Sequence, residues 1–226
     1  MRLFDCFLVR RDGDAGSRRP RHAARLGTLA MRLGVRLAGA FGVMTLMVVV
    51  SLTATVATAQ AADPAIAFLD RVAKEAILAA RSQSPSALQA VVARYADAPA
   101  IGAYALGDYR PRLEPADRDA YNAGLVRFIG RYAATEAPKY PVLRVTFTPD
   151  VRQTRAGTIV DSTIVMQDGT NYDVAWLLTR SGNGYRIRDA QVMSFWLTSF
   201  LKKLFEDYIV QNNGSVKALV RVLQRH

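Results

Sequence analysis

The spacing of apolar side chains changes twice along this chain, from helical to extended and back. Asp63-Pro64 opens the first periodic stretch. It offers a carboxylate that can accept from the free N–H groups of a first turn, then a Pro whose missing N–H does no harm there. Ile66, Leu69, Ala73 and Ile77 follow on one helix face. Ser84-Pro85 repeats the device ahead of Leu88, Val91, Val92 and Tyr95. Pro99 opens a short apolar segment over residues 101–106, which Gly107 closes. Glu114-Pro115 starts a further helix, with the stripe Tyr121, Leu125, Phe128, Ile129 and Tyr132.

The period then falls to two. Leu143, Val145 and Phe147 alternate with Arg144, Thr146 and Thr148. Residues 158–166 are rich in β-branched side chains and lie between turns at Ala156-Gly157 and Asp168-Gly169. Tyr172, Val174, Trp176 and Leu178 alternate again, and after the turn at residues 181–184 Tyr185, Ile187 and Asp189 begin another strand. Short turns imply antiparallel pairing, so four strands form a meander. A helix is expected over residues 195–210, with Leu197, Phe200, Leu201, Leu204, Phe205 and Tyr208 on one face. Asn212-Asn213-Gly214 stops it, and Ser215 caps a short amphipathic helix. Helices, then an antiparallel sheet, then helices predict an α+β domain.

The residues ahead of this domain read as an export leader. Arg32 and Arg36 precede an uncharged, Leu- and Val-rich stretch over residues 37–52, and small residues follow to Ala62. Ala57-Thr58-Ala59 and Ala59-Gln60-Ala61 both fit a small-x-small cleavage site. Residues 1–61 are therefore expected to be an N-terminal extension and signal peptide, and residues 62–226 a single exported domain. Met31 to Ala61 has signal-peptide length by itself, which makes Met31 the expected start of translation. The uncharged run is also long enough to span a bilayer, so a retained anchor is the alternative.

Removing the leader changes the charge more than the size. The whole chain carries +11. Nine of the 30 Lys and Arg and three of the 19 Asp and Glu precede Ala62, so the remainder holds 21 cations against 16 anions, or +5. No compact basic stripe is left, and no nucleic-acid partner is expected. The lone Cys is Cys6, and the two His are His22 and His226. The domain thus offers neither a disulfide nor an interior His, which removes Ser-His, Cys-His and His-rich metal chemistry. Asp173 and Asp189 lie on predicted strands, where a structural role and a catalytic one are both open.

Two motifs in order carry a resemblance. Residues 101–109 read Ile-Gly-Ala-Tyr-Ala-Leu-Gly-Asp-Tyr, and residues 114–121 read Glu-Pro-Ala-Asp-Arg-Asp-Ala-Tyr. Together they resemble the signature of the MlaC family, the periplasmic phospholipid-shuttle or toluene-tolerance proteins. Tyr185-Arg186-Ile187-Arg188-Asp189, followed by Val192-Met193-Ser194, is similar to that family's last strand. The resemblance covers the whole domain.

It implies a lipid carrier with an apolar cavity between sheet and helices, no cofactor and no catalysis. It also implies exchange with an inner-membrane ABC transporter complex and an outer-membrane lipoprotein complex, and a monomer as the working unit. Under that reading, the wall residues are Val145, Phe147, Val174, Trp176 and Tyr185 on strands and Leu106, Phe128, Ile129, Tyr132, Phe200 and Leu204 on helices. Tyr109, Arg110 and Arg112 would meet a head group at the mouth. A hopanoid-related carrier of the same family, a small-molecule enzyme using Asp173 or Asp189, and a membrane-tethered assembly module remain as alternatives.

Overall fold

A computed structural model describes residues 63–225. The leader and the question of its cleavage lie outside the described residues. Helix α1 (Pro64–Arg81) begins where expected: Asp63 accepts from the Ala65 N–H at 2.7 Å. In α2 (Pro85–Tyr95), Ser84 accepts from the Ala87 N–H at 3.3 Å. Asp97 does the same for α3 (Ala98–Ala105) through Ala100. The second oxygen of Asp97 accepts from the Thr179 hydroxyl at 3.0 Å, and its N–H donates to Ile187 O. One cap thereby ties the α2–α3 corner to the sheet.

Gly107 follows α3 with φ +50°, a left-handed conformation that disfavours any side chain. A Cβ there would also lie 2.4 Å from Lys202 Cε. The segment Gly107–Arg112 then forms a 3-10 turn. Glu114-Pro115 does not open the next helix directly. A 3-10 turn, Pro115–Asp117, comes first, and α4 runs from Arg118 to Glu136 (Arg118–Glu136). A further 3-10 turn, Ala137–Lys139, leads into the sheet.

The α+β class holds, but the sheet has five strands in the order β1-β2-β3-β4-β5, all antiparallel. They are β1 (Val142–Thr154), β2 (Gly157–Met166), β3 (Asn171–Ser181), β4 (Gly184–Val192) and β5 (Phe195–Trp196). The expectation of four strands missed β5. Met193 and Ser194 both take positive φ, 49° and 72°, which reverses the chain so that Phe195 pairs with Val192 and Trp196 with Gln191. The final long helix, α5 (Leu197–Gln211), therefore starts after these two residues rather than at 195. Helix α6 (Val216–Arg225) closes the described chain, its Ser215 hydroxyl accepting from the Ala218 N–H.

Three register shifts interrupt the ladders; one lies between Val142 and Arg144 at the start of β1, and the other two shape the inner face. Pro149 has no N–H to give a ladder, and the pairing jumps from Phe147↔Ser162 to Val151↔Val160 around it. On β4, Leu177 pairs with Asp189 and Leu178 with Ile187, leaving Arg188 as an extra residue. This bulge turns Asp189 away from the face that carries Tyr185 and Ile187.

The apolar interior forms two clusters. Ile101, Ala105, Leu106, Tyr121, Leu125, Leu201, Phe205, Ile209, Val216, Leu219, Val220 and Leu223 make one, drawn from the helices and from Leu106 at the end of α3, and fully buried. The second joins α1 to the sheet. Only Ala65, Leu69, Val160 and Leu178 are fully buried there, and Ile66, Phe68, Phe147, Val151, Trp176, Tyr185 and Ile187 pack around them only partly covered.

Candidate functional site

The sheet's inner face follows from its register. Val145, Phe147 and Val151 of β1 lie opposite Ile164, Ser162 and Val160 of β2, which lie opposite Tyr172, Val174 and Trp176 of β3. Val174 and Trp176 continue to Val192 and Ala190 of β4. Directly paired residues share a face, so these side chains form one continuous apolar surface. Helix α1 crosses its lower end, with Ala65 and Leu69 against Val160 and Leu178. Phe68 of α1 meets Tyr95 edge-on at 5.7 Å and Tyr185 at 6.0 Å, and Arg180 lies 5.1 Å above the Tyr185 ring.

Trp176 is held by its one polar atom. Its Nε1–H donates to Ser162 Oγ at 2.9 Å, and the Ser162 hydroxyl donates to Val174 O. The indole N–H is thus satisfied inside the wall, and the rest of the ring is left as apolar surface. Ser162 was not anticipated from the sequence. Its signal was faint: one small polar residue among β-branched neighbours on an inward position.

The predicted wall residues separate into two groups. Phe147, Trp176 and Tyr185 border the sheet–α1 cluster, and Val145 and Val174 lie on the same face by register. Leu106 is fully buried in the helical cluster, while Phe128, Ile129 and Leu204 pack against that cluster. Phe128 meets Phe205 edge-on at 5.8 Å and stacks on Tyr132 at 6.3 Å. Phe200 is half-buried and belongs to neither described cluster. Sequence reasoning passed over Phe68, Val151 and Ile187, which border the sheet–α1 cluster beside Ile66. Their inward direction depends on the crossing of α1 and on the two bulges.

Tyr109, Arg110 and Arg112 lie in the 3-10 turn after α3. Tyr109 packs on the helical cluster, the Arg112 guanidinium lies 5.1 Å from its ring, and Arg110 is exposed. The turn is therefore built onto the helices, not onto the sheet–α1 wall.

Among the clefts of the described surface, two bear on the predicted residues. One, of about 280 Å³, lies among Tyr104, Leu177, Arg188, Asp189, Trp196 and Thr198. The other, of about 390 Å³, lies between α1 and α2 beside Glu75, Leu78, Val91 and Arg94. Neither includes a predicted wall residue. Asp189, in the first, has its carboxylate engaged by the start of α5: it accepts from the Thr198 N–H at 3.0 Å, from the Thr198 hydroxyl and from the Ala190 N–H at 2.8 Å. Burial nonetheless raises its pKa above the usual carboxylate value. Asp173 accepts from the Thr163 hydroxyl at 2.9 Å on the outer face. Among the described residues no group of three His, Cys, Asp or Glu is placed to hold a metal ion, and no helix is long and apolar enough to cross a membrane.

Helix α4 packs on α2, α3 and α6 and makes no extended contact with any strand. Two of its polar atoms, Arg127 Nε and the Tyr132 hydroxyl, are buried without a hydrogen-bond partner. Burial, with the Glu136 carboxylate and Tyr140 nearby, pushes the Tyr132 phenol up to about 12. Burial alone raises Tyr121, whose hydroxyl donates to Gly102 O at 2.9 Å.

An antiparallel sheet with a bent, apolar and incompletely covered inner face, flanked by helices with their own closed core, defines a binding domain of the α+β class. The family model described as MlaC protein matches residues 65–225, and the chain belongs to that family. The solved structure of a phospholipid-binding protein from Ralstonia solanacearum, in complex with a phospholipid, is similar to it. The TM-score is 0.57 at 20% sequence identity, covering 72% of this chain and 96% of that one. At that identity the likeness is one of fold. No curated protein matches the chain.

Proposed function

We propose that this protein is a periplasmic phospholipid carrier that holds acyl chains against the inner face of its sheet. The observation that carries the reading is the sheet–α1 cluster. The aromatic side chains of Phe68, Phe147, Trp176 and Tyr185 line it partly buried around only four closed side chains. Phe is among the side chains most often fully buried in a folded domain, and here Phe68 and Phe147 are both left partly open. Apolar surface left accessible on an inner face is what a tail-binding site requires, since each methylene buried there contributes about 0.8 kcal/mol. Membership of the MlaC family, and a fold shared with a protein solved in complex with a phospholipid, support the same ligand class. Partners on the two membranes, an ABC transporter complex inside and a lipoprotein complex outside, follow from the family resemblance. So does action as a monomer after the leader is removed.

The test is direct. Protein released by osmotic shock is extracted under denaturing conditions and its lipids identified by mass spectrometry. Phospholipid at a fixed molar ratio to protein is the expected result. Protein that carries none, and takes none from vesicles, overturns the reading.

A further inference from the structure

Among the described strand residues that the register places on the inner face, Arg180 is the only charged one. It pairs directly with Tyr185, two places beyond the Leu178↔Ile187 pair, so all four side chains lie on that face. Its guanidinium sits 5.1 Å from the centre of the Tyr185 ring, and that ring borders the sheet–α1 cluster and meets Phe68 at 6.0 Å. The other arginines of β3 and β4 are engaged by the fold. Arg186 donates to the carbonyls of Ala93, Arg94 and Ala96 at 3.1 to 3.5 Å, and Arg188 to Ala156 O at 3.4 Å. On the opposite face Arg152 of β1 donates to both carboxylate oxygens of Asp161 at 2.7 Å. Arg180 has only the ring beneath it. It is exposed, and among the described residues it makes no ion pair and no hydrogen bond.

We propose that Arg180 takes the phosphate of the bound lipid, at the end of the apolar face where the tails stop. The assignment rests on the carrier reading given above and names the group that recognises the head. Tail burial by itself does not tell a phospholipid from a diacylglycerol, because each methylene contributes equally in both. A cation at the border of the tail-binding face does. Its planar guanidinium offers a fork of N–H donors that matches two phosphate oxygens. The Tyr185 ring restrains the side chain without occupying those donors. From Leu178 through Tyr185 to Arg180 the face passes from apolar to amphipathic to charged, the same order as tail, glycerol and phosphate. The turn carrying Arg110 and Arg112, where the sequence led us to expect the head group, is built onto the helices. Arg180 supplies the same chemistry on the face that holds the tails.

The experiment offers the full chain, stripped of lipid, vesicles that hold a phosphatidylglycerol and a diacylglycerol with the same two tails. Uptake of each is read by mass spectrometry. Both lipids share one membrane, so general attraction of a cationic protein to the vesicle cancels in their ratio. Arg180→Gln is expected to lower the phosphatidylglycerol-to-diacylglycerol ratio roughly 3- to 10-fold, a modest effect for a charge-assisted contact because the site is open to water. Diacylglycerol uptake should stay as in wild type. Arg152→Gln, which removes an equal charge from the opposite face, should leave the ratio unchanged. In the wild type the ratio should fall as sodium chloride is raised, a readout that needs no variant. Inorganic phosphate at matched ionic strength should lower it no further than chloride does; a larger fall would assign the cation to free phosphate and overturn the proposal. A ratio unchanged in Arg180→Gln, an equal loss of both lipids in that variant, an equal effect of Arg152→Gln or a wild-type ratio insensitive to salt each overturns the assignment and leaves the carrier standing. Uptake of neither lipid by the wild type overturns the carrier reading and this assignment together.

Discussion

The helical cluster and the sheet–α1 cluster are built from similar side chains and finished differently. In the first, twelve residues are fully buried, and Tyr121, Phe205 and Phe128 interlock edge-on at 6.3 and 5.8 Å. In the second, four residues are closed and seven are left partly open, among them Phe147 and Trp176. The Tyr121 hydroxyl has its carbonyl in the closed core, whereas the Tyr132 hydroxyl, beside Phe128 at the margin of that same helical cluster, has none. Within one small domain, then, one apolar group holds the fold together and another keeps surface in reserve.

The largest test of that contrast is a matched pair of truncations. Phe205→Ala should cost about 3–5 kcal/mol of unfolding free energy in urea, as loss of a ring from a closed core does. Phe147→Ala should cost about half as much, because half-buried area is lost and little new cavity is made. Only Phe147→Ala should lower the lipid that co-purifies. Equal stability losses at the two sites would erase the distinction between core and reserve surface.

A second comparison lies at the helix–helix seam. A Cβ at Gly130 would come within 2.6 Å of Gln89 Cα. Gly130→Ala should therefore destabilise by about 1–3 kcal/mol through the α2–α4 contact, without changing which lipid is bound. An unchanged urea midpoint would mean that the seam is looser than the contact implies.

Smaller again is the cap on α5. Asp189→Ala removes the acceptor for the Thr198 N–H and hydroxyl and should cost about 0.5–2 kcal/mol. Retained lipid uptake in that variant would separate a structural Asp189 from a functional one. A loss of uptake with stability intact would assign the carboxylate to function.

The pH dependence sharpens the contrast least but most simply. The Tyr132 phenol is raised from its usual 10 to about 12 in the folded protein. A raised folded-state value means that the folded protein holds this proton more tightly than the unfolded chain. The stabilisation is complete below about pH 10 and is lost as pH rises through about 12. Phenolate absorbance followed against circular dichroism should show Tyr121 and Tyr132 ionising only as the fold opens, and their Phe variants should lack that late fraction. Ionisation of all tyrosines before any unfolding would contradict it.

The caps and periods were legible because they are local. Asp63-Pro64, Ser84-Pro85 and Ser215 each act within a few residues of themselves, and each opens a helix as read. Family membership was legible too, because its motifs are short and ordered along the chain. The short strand β5 was not. Phe195-Trp196 fits the apolar face of a helix equally well, and what makes it a strand is the reversal at Met193 and Ser194 onto β4. Nor did the list of wall residues divide itself. Leu106 and Phe147 look alike as apolar positions in a periodic stripe, yet one is closed in the helical core and the other half-open on the sheet.

By itself the sequence determined where elements start, which period each follows, the α+β class and the absence of interior His and Cys chemistry from residues 62–225. Only the tertiary structure decided which apolar side chains close on one another and which stay accessible. It also decided that Asp189 serves as a cap, and that Tyr132 is left with a buried hydroxyl and nothing to bond. The reason is physical. Caps and periodicity act between residues a turn apart, whereas burial depends on how distant elements cross and on bulges that redirect a strand.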